Sequence, residues 1–140
     1  MKRFLIICIL ACVSIISNAQ PSLIFTRKII FDKFDDVVFD ENIKTLVTIY
    51  SDVIFIEEKG DYPIELKVGD IVDVRGDKDN IVKLYDNIYG YQAVCLCYTD
   101  NGTFLLTYRV VADKYSRTVT DEMVWVEGSN FRIVYTREIK

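Results

Sequence analysis

Tyr91-Gln92-Ala93-Val94-Cys95-Leu96-Cys97-Tyr98, then Thr99-Asp100-Asn101-Gly102, then Thr103-Phe104-Leu105-Leu106-Thr107-Tyr108-Arg109-Val110-Val111, is the stretch whose reading decides the fold. Two runs rich in branched and aromatic residues flank a turn signal, and neither carries a helical stripe. Asn-Gly is the favoured pair of a tight type I′ turn, because both central residues need positive φ. The stretch therefore predicts a β-hairpin of two long strands.

Working outward, the same grammar repeats. Strands are expected at 44–50, 53–57, 71–75, 80–85, 123–126 and 131–136. Gly76-Asp77-Lys78-Asp79-Asn80, Asp86-Asn87-Ile88-Tyr89-Gly90 and Gly128-Ser129-Asn130 supply connections between them. Many short strands with such turns predict an all-β, antiparallel β-sandwich, with a small, partly open SH3-like barrel as the alternative. Residues 44–140 form the single sandwich domain in this reading. Residues 20–43 form an irregular N-terminal segment, acidic through Asp32, Asp35, Asp36, Asp40 and Glu41.

Lys2 and Arg3 precede an apolar run from Phe4 to Val13, and Ser17-Asn18-Ala19 offers small residues for a cut. That order predicts a signal peptide over residues 1–19, with cleavage after Ala19 and a mature chain that starts at Gln20. The run is shorter than the roughly 20 residues a spanning helix needs. An uncleaved N-terminal anchor is the first alternative, and a lipoprotein attached at Cys12 is the second. The expected location after cleavage is periplasmic or outer-membrane-associated, with membrane association only through partners.

Charge and chemistry narrow the function. The chain has 17 basic and 21 acidic residues, a net charge of −4, and no histidine. An acidic chain repels a phosphate backbone, so no nucleic-acid partner is expected. Without histidine there is no Ser-His-Asp arrangement, and neither a phosphate loop nor a nucleophile elbow is present. No catalytic residue, metal site or cofactor is expected, and the protein reads as a non-enzyme. Glu57-Glu58 and Asp35-Asp36 read as solvated charge, because neighbours on a strand alternate faces. Asp77, Asp79 and Asn80 read as turn chemistry rather than a calcium loop. Cys95 and Cys97 point to one face of a strand and read as small buried side chains, since a bridge across two residues of one strand is strained.

Among the aromatics, Phe55, Tyr98, Phe104, Tyr108, Trp125, Phe131 and Tyr135 fall in predicted strands and read as core. Tyr62, Tyr85, Tyr89 and Tyr91 sit near predicted loops. Of these, Tyr85, Tyr89 and Tyr91 form the candidate binding patch, because tyrosine gives contact area at low entropic cost.

Lys44-Thr45-Leu46-Val47-Thr48-Ile49-Tyr50-Ser51-Asp52-Val53-Ile54-Phe55-Ile56-Glu57 resembles the opening of the TraN proteins of conjugative transposons. Gly60 stands in place of that family's glycine, and Phe55-Ile56-Glu57 replaces its Tyr-Val-Asp. Asp70-Ile71-Val72-Asp73-Val74-Arg75 resembles the next strand. Asp100 to Tyr108 resembles an Asp-Gly-x-Phe-x-x-Phe-x-Val-x-Tyr segment. The resemblance covers roughly residues 44–113. It implies an N-terminal β-sandwich, no catalytic residues, and a role similar to outer-membrane-core subunits of type IV secretion systems. Envelope proteins, in a homo- or hetero-oligomer, are the partners it implies. Glu65 to Val74 also fits the Leu-x-x-Gly-Asp-x-Val-x-Val start of SH3-like barrels, which would bind a peptide or cell-wall strand.

Overall fold

In a computed structural model, residues 22–113, 118–127 and 130–138 are described. The expected leader, with Cys8 and Cys12, lies outside them, as does part of the loop at 128–130. The fold is all-β and antiparallel. Among the described residues eleven strands follow one another: β1 Ser22–Phe25, β2 Arg27–Asp32, β3 Val37–Glu41, β4 Thr45–Ile49, β5 Val53–Glu58, β6 Ile64–Arg75, β7 Val82–Tyr85, β8 Ile88–Thr99, β9 Gly102–Ala112, β10 Thr118–Glu127 and β11 Phe131–Glu138. They form one sheet in the order β1-β4-β5-β6-β8-β9-β10-β11-β2-β3, with β7 beside β8.

That order returns to its start. Only Thr26 separates β1 from β2, yet β1 pairs with β4 while β2 pairs with β11 and β3. The Thr26 amide donates to the Thr136 carbonyl at 3.1 Å and seals the seam. Residues 22–32 and 37–49 thus make one long, interrupted hairpin that closes the sheet into a barrel. The two layers of a sandwich are joined at both sides. Eight antiparallel segments go around it, a size at which side chains fill the interior.

Residues 20–43 are corrected by this result, since three strands lie there and one of them closes the sheet. The acids mislead because they crowd a turn. The Asp32 carboxylate accepts the Phe34 and Asp36 amides at 2.8 and 3.0 Å, and Asp35 takes φ +62°. Alternation also breaks at Thr26 and Arg27, two consecutive exposed residues, so Phe25 and Lys28 both turn inward.

The interior is apolar. Leu23, Phe25, Val47, Ile54, Leu66, Cys95, Cys97, Leu106, Tyr108 and Tyr135 are fully buried. Burying each large apolar side chain contributes about 1.5–3 kcal/mol. Cys95 and Cys97 are unbridged and packed, with sulfurs 3.6 Å apart. Their mutual hydrogen bond, and then burial, push the Cys95 thiol far up, which makes it a poor nucleophile. Glu57, Glu65, Lys67 and Arg75 are exposed on the outer faces. Apolar inside and charged outside is the reverse of a lipid-facing barrel.

The central hairpin is present, with a different turn. Thr99 pairs with Gly102, so Asp100-Asn101 is the loop. Neither residue takes positive φ; Gly102 does, at +136°. The Thr99 hydroxyl accepts the Asn101 amide at 3.1 Å and holds this tighter arrangement.

Candidate interaction surface

In an antiparallel meander, alternate connections lie at the same end. The links at 33–36, 59–63 and 100–101, with the end of β10 and the start of β11, therefore share one end of the barrel, and those at 50–52 and 76–81, with the end of β9 and the start of β10, share the other.

Inside the barrel the ionised groups are tied to partners. Glu58, expected as solvated charge, is corrected by its position opposite Thr45. Its side chain is 9% exposed, and Oε1 accepts both the Lys28 ammonium at 2.7 Å and the Tyr135 hydroxyl at 2.8 Å. Toward the other end, Asp121 is fully buried, and its Oδ2 accepts Arg137 Nε at 2.9 Å and Nη2 at 2.7 Å. Burial holds the Asp121 carboxyl above the usual range, against the pull of Arg137. Burial also raises the neighbouring Tyr108 phenol, and the charge of Asp121 adds to this. Both networks sit within packed side chains, where they brace the fold. Replacing Glu58 with Gln should cost about 1–2 kcal/mol in urea unfolding, because the Lys28 charge is left unanswered while Tyr135 keeps an acceptor. An unchanged midpoint would show that Lys28 is solvated.

The three predicted patch tyrosines separate. Tyr85 and Tyr89 are exposed near the end opposite the 33–36 turn, at 47% and 40%, whereas Tyr91 is 6% exposed and part of the core. Tyr85 is also locally engaged. Arg109 Nη1 donates to its hydroxyl at 2.9 Å, and the guanidinium lies over its ring. Asp86-Asn87 alone makes the turn there, so β8 starts early and carries Tyr91 into the barrel beside Val110. Asp77 and Asn80 form a small turn in which the Asp77 carboxylate accepts the Asp79 amide at 2.8 Å.

The end that carries the 33–36 turn has a different character. Tyr62 is 95% exposed and Phe34 72%. Val37, Val38, Phe131 and Tyr98 are exposed as well. Of the strand aromatics read as core, Phe131 and Tyr98 are therefore corrected, while Phe104, Tyr108, Trp125 and Tyr135 are buried. Phe34 and Phe131 wall a depression of about 290 Å³ with Asp32 and Lys33. A second, of about 320 Å³, lies between Pro63-Ile64 and Asp100-Asn101 over Phe104 and Trp125. Carboxylates ring these apolar groups: Asp35, Asp36, Asp61, Glu65 and Asp100 are all exposed. Large exposed apolar groups gathered at one place mark a contact surface. The signal was present in the sequence as Phe34 and Tyr62, each in a charged or glycine-flanked link, but their nearness depends on closure of the barrel.

The chain matches no family model, no curated protein and no solved structure.

Proposed function

We propose that this is an exported, non-enzymatic interaction protein that holds a basic surface of an envelope protein against the barrel end bearing Phe34, Tyr62 and Phe131. One observation carries the reading: exposed aromatics and exposed carboxylates, of which only Asp35 has an ion-pair partner among the described residues, collect at that end, while the buried ionised groups are engaged in bracing pairs. Apolar anchors with a charged rim suit protein contact, and the negative rim selects a positive partner. The resemblance to TraN proteins gives this role a concrete form, a subunit of a conjugation-type envelope complex. The leader pattern supplies the export.

Cross-linking of the mature protein in intact envelopes tests it. Lys33 and Lys59 are exposed at the proposed end, and Lys78 and Lys83 are exposed toward the other. Lysine cross-links to other envelope proteins should concentrate on the first pair and disappear with Phe34→Asp. Cross-links confined to Lys78 and Lys83 would overturn the reading.

A further inference from the structure

Strands β1 and β3 end the strand order, and among the described residues each is paired on one side only. Strand β3 pairs with β2 on one side, and no strand among the described residues pairs with its other side. The far side of β1 runs along β11, where the Thr26 amide donates to the Thr136 carbonyl, and at β7 the Arg75 Nη1 donates to the Leu84 carbonyl at 3.1 Å. Successive residues Val37 and Val38 are 55% and 54% exposed, so the start of β3 stands clear of the barrel on both faces. Natural edges are blunted by charge, proline, bulges or short length. In β3 the charge is confined to Asp40 and Glu41 and is all negative, and Val37, Val38 and Phe39 carry none.

From this we infer that β3 is a docking edge for an extended segment of a partner protein in which apolar residues alternate with lysine or arginine. The inference rests on the contact reading above and names its binding mode. A free edge offers backbone donors and acceptors to an added strand, and side chains then set the choice. Here they select positive charge. Residues 32–41 hold five acids against Lys33 alone. Arg27 answers Asp40, and Arg132 answers Asp35, but Asp36 and Glu41 are in no ion pair among the described residues. A depression of about 840 Å³ crosses β3, β2, β11 and β10 on the paired side of β3, and of its walls only Asp40 and Glu41 border the free edge. Basic side chains of an added strand would meet Asp36 and Glu41 at the edge itself. A second copy of this chain fits poorly. A second copy's β3 brings two further acids and no lysine or arginine, so it leaves Asp36 and Glu41 unanswered.

Two short capped peptides, one alternating valine with lysine and one alternating valine with glutamate, are the probes. Added to the isotope-labelled full chain, the lysine peptide should shift amide resonances of residues 36–42 and slow exchange of the outward amides of β3. The glutamate peptide should leave them unchanged. Val38→Lys, and separately Asp36→Lys with Glu41→Lys, should weaken the lysine peptide roughly tenfold. These residues are exposed, so the variants keep the wild-type unfolding midpoint. Equal responses to both peptides, shifts confined to other strands, or protection of β3 by self-association would each overturn the inference. If the Lys33 and Lys59 cross-links persist in Val38→Lys, the contact end stands and pairing through β3 does not.

Discussion

Gly90→Ala should lower stability by about 3 kcal/mol or more, enough to unfold a large share of a marginal domain. Gly90 lies in β8 opposite Val111 of β9 and Val82 of β7. A Cβ built there would lie 1.9 Å from the Val110 carbonyl oxygen and 3.0 Å from its carbon. Both are backbone atoms, so no rotamer change relieves the clash. The two strands must part, and the pairs Tyr89–Ala112 and Tyr91–Val110 go with them. A close approach of this kind is one of the few reasons a strand tolerates glycine in its interior. Gly60 provides the comparison. Its φ is +91° and nothing lies within 4 Å, so Gly60→Ala meets only backbone strain of about 1–2 kcal/mol. Urea unfolding of both variants decides the matter. A Gly90→Ala midpoint at or above that of Gly60→Ala would mean that β8 and β9 are further apart than described.

Arg137→Met should cost about 3–5 kcal/mol, the usual penalty for stranding a buried charge. Asp121 is fully buried, its Oδ2 depends on two Arg137 donors, and its Oδ1 has no hydrogen-bond partner. Methionine fills part of the space but answers no charge. The loss should depend on pH in a defined direction. The Asp121 carboxyl is already raised in the folded protein, with burial the main cause, and removing Arg137 takes away a lowering influence. A carboxyl raised on folding favours the folded state below its unfolded pKa, and that benefit is lost as pH rises through the folded value. The deficit of Arg137→Met should therefore shrink on acidification from neutral pH, as the variant's native state takes up a proton. Adding Asp121→Leu should recover most of the loss at neutral pH, because a packed apolar pair replaces a buried ion pair at little cost. A deficit that widened in acid would contradict this assignment.

How much of this was legible in advance varies with the range of the cause. The β8–β9 hairpin was legible because period-two patterning and a turn signal act within a few residues. Its exact turn was not, since the Thr99 hydroxyl shifted the loop to Asp100-Asn101. Strands β1 to β3 were hidden because their alternation breaks at Thr26 and because acids that form a turn resemble acids that coat a loop. Glu58 looked solvated, since nothing local announces that Lys28 and Tyr135 meet it inside. Tyr91 was expected at the very start of its strand, beside a loop, whereas β8 begins three residues earlier at Ile88 and buries it.

By itself the sequence determined an all-β antiparallel chain, a core of branched and aromatic residues, packed cysteines and an acidic exterior. Those properties follow from side-chain size, branching and charge acting along one segment at a time. Tertiary structure alone decided that the sheet closes through residues 22–32, that Phe34, Tyr62 and Phe131 come to one end, and that β3 is left with a free side. Each of those outcomes joins segments far apart in the chain, and the hydrogen bonds that join them are backbone contacts, which carry no residue signature.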